Sequence, residues 1–411
     1  HNRRITCRAP LPRRILARRA IVPSCMSVAS RPNDSVPHTP VEACARPLAR
    51  PSLRWLLAVA PLAIVLSLLS ATRIRNYDFF WHLSNARWIV ENGSIPHHDT
   101  FSFTFRGQPY LAVPWLADLF FYIGFLAGGF PGVVVLKSIL SGIVVILLAC
   151  VGRELGAPPS GAWMVLPFFA VVAQPRLAHV RPETLGFVLL AFLLWLVVRF
   201  WTRRDRAILL APLVGYLWLQ THASAVLVVP VTAILLLCCL LLRQPRRDTL
   251  ISTAAFFGSL AVLAALPAGQ ELVHVGTLHT WRVSPVSLSL TSEWSAPSIV
   301  DGELWIPALA VVAALAWALA NLRRTLLPVL FAVLGAFMAS SSNRHLGTGV
   351  LLCVPLLLAA TAELQEKSLS RLRPSIRLAS VLLFALGLPL AHLVAAPARD
   401  SRFSFGLDVD P

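Results

Sequence analysis

The stretch "RPETLGFVLLAFLLWLVVRFWTRRDR", residues 181–206, decides the fold class of this chain. Its middle, residues 183–201, is almost wholly apolar, and charged residues stand at both ends. An apolar run of this length, when helical, reaches across the roughly 30 Å hydrocarbon layer of a bilayer. The composition agrees, since the 411 residues are 56% hydrophobic and 13% charged, with mean hydropathy +0.70. The sequence therefore predicts an integral membrane protein.

Similar apolar runs recur along the chain, and we interpret eleven of them as transmembrane helices. They predict an all-α, polytopic helix bundle that occupies residues 54–396. The expected spans lie at about 54–71, 132–151, 161–174, 183–201, 206–221, 223–242, 249–267, 305–321, 325–341, 346–361 and 377–396. A twelfth apolar segment, 113–130, contains Pro114 and Asp118, so charge placement has to decide whether it crosses.

The placement of arginine sets the expected topology. The net charge of +17 comes mainly from arginines between the apolar runs. The positive-inside rule places them on the cytoplasmic side, so the charge does not indicate nucleic-acid binding. Four crossings before "TRRDR" (202–206) keep it on the same side as the basic N-terminal tail, without using segment 113–130. We therefore expect 113–130 to lie at the outer interface as a helix, with the N-terminus inside and the C-terminus outside.

This topology leaves two long external loops, at 72–131 and 268–304. The tail 1–53 is rich in Arg and Pro without a helical period, which predicts a disordered cytoplasmic segment. Residues 397–411 are interpreted as the start of an external segment, and a truncated or a frameshifted chain are both consistent with this interpretation. Loops as long as 72–131 inside a compact protein usually carry function.

Candidates for acid–base chemistry lie in the first external loop, within "NYDFFWHLSNARWIVENGSIPHHDTFSFT" (76–104). Asp78 follows the first span closely, near headgroup level, where a carboxylate can act as a base or hold a metal; it can also simply cap a helix. His82 is one helical turn further along, which suits an Asp–His pair or a second metal ligand, or a plain interfacial residue. Asp99 is a second acid of the same loop and equally suits an Asx turn.

Cationic side chains recur on the external face, where the positive-inside rule disfavours them. Such residues are candidates for binding an anionic headgroup or phosphate. The substrate-binding candidates are Arg181, His222, Arg344 and His345, together with Glu293 and Trp294 of the second external loop. Trp294 also fits a plain interfacial aromatic residue.

The order of these features resembles that of the GT-C glycosyltransferases, especially the bacterial relatives of protein mannosyltransferases and of the aminoarabinose transferase. The shared features are an acidic residue just beyond the first span, a short helix ending in "ENGSIPHHDTFS", a membrane-parallel segment and then a bundle of spans. "RPETLGFVLLAFLLWL", "SEWSAP" and "NRHLGTGVLLCVPLLLA" are similar to segments of large bacterial multi-span proteins grouped with these enzymes. The likeness covers about residues 54–410.

The resemblance implies a bacterial inner-membrane enzyme of the cell envelope. It would move a sugar from a polyprenyl-phosphate-linked donor to an acceptor at the outer face. Asp78 takes the place of the acid that serves as base or metal ligand, with Asp99 and His82 assisting, while Arg181 and Arg344 hold the phosphate. A divalent metal at Asp78 and His82 is a further expectation. Two alternatives stay open, a transporter or flippase of lipid-linked material and a non-catalytic membrane scaffold.

Overall fold

The structure, a computed structural model, describes residues 53–74, 76–177, 179–282, 305–319 and 322–367. Every regular element in these ranges is helical apart from a single β-bridge. The α-helices, in chain order, are α1 Leu53–Leu69, α2 Asp78–Asn92, α3 Trp115–Glu154, α4 Pro159–Leu177, α5 Glu183–Arg203, α6 Ala211–Leu219, α7 Val228–Leu241, α8 Arg246–Ala265, α9 Pro267–Arg282, α10 Trp305–Leu319, α11 Leu322–Ser341 and α12 Leu346–Lys367. Short 3₁₀ turns precede α6, α7 and α12, at Arg206–Leu210, Ala223–Leu227 and Asn343–His345.

The prediction of an all-α membrane bundle is confirmed. Ten of the eleven expected spans coincide with helices, and the eleventh, 377–396, lies outside the described residues. Five helices are long and apolar enough to cross a membrane, namely α3, α5, α8, and α7 and α12 with their preceding 3₁₀ turns. Shorter apolar helices accompany them in α1, α4, α6 and α11. The chain is therefore a multi-pass membrane protein, whereas the number of crossings stays a prediction.

Helix α3 consists of two arms that fold back on each other. The backbone leaves helical geometry at Gly128 and Gly129, and Gly129 has a φ of 61°, which glycine adopts at little cost. A Cβ atom on Gly132 would collide with the carbonyl oxygen of Gly124. Eight residues of straight helix would separate these two positions by about 12 Å, so the arms form a hairpin. This break separates the expected interfacial segment 113–130 from the expected span 132–151.

The bundle has two ends, which we call the Asp78 end and the Arg203 end. Helices α1 and α3 run antiparallel, since Ser67 donates a hydrogen bond to the carbonyl of Ser138 while the Arg153 guanidinium lies 5.7 Å from the ring centre of Trp55. The C-terminus of α1 therefore lies at the Asp78 end and the C-terminus of the second arm of α3 at the Arg203 end. Helix α5 joins the two ends and packs its fully buried leucines in the centre of the main core.

A second, smaller core anchors the first loop to the bundle at the Asp78 end. Phe79 on α2 and Phe121 on the first arm of α3 are fully buried, and both pack with Val133 and Val180. Phe130, at the turn between the arms, makes an edge-on contact with Phe79 at 6.4 Å between ring centres. Burial of these aromatic rings stabilises the packing of α2 and the first arm of α3 against the rest of the bundle.

Candidate functional site

Asp78 presents an exposed carboxylate at the first turn of α2. Its backbone N–H donates to the side-chain oxygen of Asn76, and α2 ends at Gly93, which adopts the left-handed conformation typical of a helix C-terminus. The Asp78 carboxylate accepts a hydrogen bond from Arg181 at 3.0 Å, yet 63% of its side chain stays exposed. The guanidinium fixes one face of the carboxylate, and the other face is open to a ligand.

His82 is paired with an acid that the sequence analysis did not select. Its Nδ1 lies 2.8 Å from Oδ1 of Asp118, so the expected pairing with Asp78 is replaced by one with the first arm of α3. Asn85 donates to the other Asp118 oxygen at 2.5 Å, and the Asp118 side chain is fully buried. With a carboxylate at Nδ1, the ring carries its proton there and presents Nε2 as an acceptor when neutral.

His82 has its partner on another helix, so the spacing of residues along α2 could not predict the pair. Asp78 faces the turn before α5, while His82, one turn later, faces the first arm of α3. In the sequence, Asp118 argues only against a membrane crossing by segment 113–130. The signal was nevertheless present, because an acid in an apolar segment needs a partner and is often functional.

Asp99 forms a turn within its own loop. Its carboxylate accepts from the backbone N–H groups of Phe101 and Ser102 and from the Ser102 hydroxyl, at 2.9, 2.8 and 2.7 Å. These hydrogen bonds, above all the one from the Ser102 backbone, lower the pKa of Asp99. The geometry is that of an Asx turn, the structural alternative named above. Trp81 on α2 contacts Phe101 at 5.3 Å between ring centres, which attaches this loop to α2.

Cationic side chains from two connections of the chain lie at the Asp78 end, Arg176 and Arg181 at the connection from α4 to α5 and Arg344 before α12. Arg176 at the end of α4 lies 3.8 Å from the carboxylate of Glu183, the first residue of α5, and both are largely buried. A Cβ atom on Gly347 of α12 would lie 3.6 Å from the Arg176 side chain, so the turn carrying Arg344 and His345 is adjacent. His345 lies 3.1 Å from each of the hydroxyls of Ser341 and Ser342.

His222 stands at the base of this cationic group as a neutral hydrogen-bond donor. Its Nδ1 accepts from the Ser224 backbone at 3.1 Å and lies 2.7 Å from the Ser224 hydroxyl, so the ring proton is assigned to Nε2. Burial of the ring lowers the pKa of His222 to about 3, and the positive field of Arg344, His82, Arg176 and Arg181 acts in the same direction. The ring therefore supplies a hydrogen bond without a charge.

Several expected site residues lie beyond the described region or take other roles. Glu293 and Trp294 fall outside the described residues. Within the described ranges, no group of three or more His, Cys, Asp or Glu side chains is placed to hold a metal ion. Asp78 has a guanidinium as its neighbour and His82 has Asp118, an arrangement that does not fit a shared cation. A divalent metal at Asp78 and His82 stays a prediction, and no chemical step is assigned to it.

Comparisons with known proteins connect the fold to one class of membrane enzyme. No protein-family model and no curated protein sequence matches this chain. Three solved structures of the oligosaccharyltransferase from the archaeon Archaeoglobus fulgidus are similar to it. The complex of that enzyme, AglB, with an inhibitory peptide and a dolichol-phosphate is 13% identical with a TM-score of 0.55, over 83% of this chain and 55% of the other. The form tethered to an acceptor peptide is 12% identical, TM-score 0.59, with the same coverage. The apo form is 12% identical, TM-score 0.55, over 84% of this chain and 55% of the other.

These comparisons establish the fold. The chain shares its helical architecture with membrane oligosaccharyltransferases, so the expected GT-C fold is confirmed. It spans about half the length of these structures, with 55% of each covered. A shared fold does not by itself assign an activity, which has to be argued from the site.

Proposed function

We propose that this protein is a membrane glycosyltransferase that transfers a sugar from a polyprenyl-phosphate-linked donor to an acceptor at the Asp78 end. One observation carries the proposal: an exposed carboxylate and arginines from two connections of the chain lie at one end of a bundle with the oligosaccharyltransferase fold. One of the similar structures is a complex with dolichol-phosphate, an anionic lipid of the kind that such a cationic group suits. The site would lie at the outer face of the membrane, as the distribution of arginine predicts, and the resemblance to the GT-C enzymes implies a bacterial inner membrane.

Asp78 is the proposed general base. Displacement at a sugar carbon requires a group that accepts the proton of the attacking acceptor, and an exposed carboxylate can do so. The hydrogen bond from Arg181 fixes the orientation of the carboxylate. The carboxylate face not used by Arg181 is the one available to the acceptor.

The cations are the proposed site for the leaving phosphate. Negative charge develops on the phosphate oxygen as the bond to the sugar breaks, and preformed donors stabilise it best. Arg344 and Arg176 supply charge, and an arginine side chain can bind two phosphate oxygens at once. The Nε2–H of His222 adds a neutral donor whose orientation is fixed by Ser224.

His82 assists as a proton acceptor at Nε2, and Asp118 is its positioning residue. Asp118 is buried, accepts from both His82 and Asn85, and so holds the ring in one orientation and one tautomer. An Asp118→Asn variant would lose this control while keeping nearly the same volume. We expect it to lower the turnover rate with little change in KM and to alter its pH profile; an unchanged profile would reduce Asp118 to a packing role.

The test is an Asp78→Asn variant in proteoliposomes supplied with a panel of polyprenyl-phosphate sugars and cell-envelope acceptors. Removal of a general base costs about a hundredfold to ten-thousandfold in rate. Glu91→Gln is the matched control, because Glu91 is an exposed acid on the same helix, paired with Arg87 at 2.7 Å. We expect the control to retain wild-type release of polyprenyl phosphate. Full activity of Asp78→Asn, or a wild-type protein inactive with every donor, would contradict the proposal.

A further inference from the structure

A groove at the Arg203 end, far from the proposed active site, combines positive charge with an apolar wall. Its volume is about 460 Å³, and it is lined by Arg206, Leu209, Arg246, Arg247, Leu250 and Ile251. Arg206 opens the 3₁₀ turn before α6, and Arg246 and Arg247 open α8. The groove therefore lies between the starts of two helices at the Arg203 end.

The arginines of this groove differ from those around them. Arg199, Arg203 and Arg204 are each paired with an acid, namely Asp205, Glu154 and Asp248 respectively. Within the described part of the chain, the side chains of Arg206, Arg246 and Arg247 form no ion pair or hydrogen bond, and all three residues are exposed. No acid lines the groove. Its three positive charges are left for an anion from outside the protein.

The apolar wall continues from the groove along the bundle. Leu209 in the 3₁₀ turn is exposed, and so are Leu213 and Leu217, which lie four residues apart on one face of α6. Leu250 and Phe257 form a corresponding exposed row on α8. The two helices meet closely further along, where a Cβ atom on Gly258 would press on the ring of Pro212. An acyl chain laid between these rows would start at the arginines.

We propose that this groove binds an anionic glycerophospholipid of the leaflet at the Arg203 end. The phosphate would lie among Arg206, Arg246 and Arg247, and an acyl chain would follow the exposed leucines. A free phosphate would gain the charge but not the apolar contact, so the wall favours a lipid over a soluble anion. The site is independent of the proposed transferase activity.

The experiment measures phosphatidylglycerol binding to the purified full chain by native mass spectrometry, with phosphatidylcholine as the zwitterionic comparison. Each arginine near a phosphate contributes about fivefold in affinity, so Arg246→Gln with Arg247→Gln is expected to weaken binding about thirtyfold. The matched control is Arg54→Gln with Arg243→Gln, which removes the same charge at the same end outside the groove. We expect the control to change affinity by less than about twofold.

Further arms make the result decisive. Arg206→Gln alone, on the other helix, is expected to weaken binding about fivefold and serves if the double variant fails to fold. Inorganic phosphate at the concentration of the lipid is expected not to displace it. Three results would overturn the proposal: equal losses in groove and control variants, equal binding of phosphatidylcholine, or displacement of the lipid by inorganic phosphate.

Discussion

The two ends of the bundle contain the same kinds of side chain in different arrangements. At the Arg203 end, acid and arginine come from helix termini that pack together, and Glu154 keeps only 6% of its side chain exposed beside Arg203. At the Asp78 end, the carboxylate of Asp78 is 63% exposed beside Arg181, and Arg176 and Arg344 lie at the same end around His222. A buried pair satisfies its own charges, whereas an exposed carboxylate beside an excess of cations is left able to bind and react. The difference separates ion pairs that hold the bundle together from those available to a substrate.

The largest effect expected is all-or-none and concerns which side of the membrane each end faces. A cysteine at Phe103, fully exposed in the first loop, should react with a membrane-impermeant maleimide in intact cells. A cysteine at Arg243, exposed in the turn before α8, should react only after permeabilisation. The background variant carries Ser at Cys7, Cys25 and Cys44, so that the N-terminal tail does not react. Labelling of both positions from the same side would contradict the prediction that the Asp78 end and the Arg203 end face opposite sides of the membrane.

The next effect concerns stability and compares one ion pair from each end. Glu154→Ala leaves Arg203 without its buried partner and is expected to cost about 3 kcal/mol in the free energy of unfolding. Asp78→Ala breaks an exposed pair and is expected to cost less than about 1 kcal/mol. Thermal unfolding of both variants in the same detergent measures the difference. If Asp78→Ala proved as destabilising as Glu154→Ala, the Asp78–Arg181 pair would be structural and the proposed role of Asp78 would fail.

The sequence was sufficient for the fold because each helix is encoded locally. An apolar run bounded by arginines specifies α5 without reference to any other segment, and "GGFPG" (128–132) marks the break in α3 through residues that cannot continue a helix. Arg181 was predicted to hold a phosphate, and its place beside Asp78 keeps it in the same group of residues. The role of Asp99 could not be predicted from its position in the first external loop. Its carboxylate accepts its hydrogen bonds from residues of that same loop.

What the sequence did not predict depends on contacts between distant segments. Asp118 is 36 residues from His82, and their pairing arises only because α2 packs against the first arm of α3. The tautomer of His222 depends on Ser224, two residues away, but its low pKa depends on burial and on arginines from two other turns. The groove arginines were predicted only as a side marker for the membrane. The sequence does not show which arginines at this end have an acid as partner. The structure pairs Arg199, Arg203 and Arg204 with acids and, in the described region, leaves the groove arginines without one.

The smallest effect is the pH dependence that His222 gives to stability. Its pKa in the folded protein is about 3, against an ordinary value of 6.5, so the unfolded chain binds a proton between these values while the folded protein does not. Stability is therefore fully present above about pH 6.5 and falls as the pH is lowered towards 3, by at most about 1.4 kcal/mol per pH unit. His222→Asn keeps an acceptor for Ser224 and cannot be protonated, so its unfolding temperature should decline less between pH 6.5 and 4.5. The control is His97→Asn in the exposed loop, which should follow the wild-type curve. Parallel curves for wild type and His222→Asn would mean that burial and the nearby cations do not keep the ring neutral, and its assignment as a neutral donor to phosphate would have to be withdrawn.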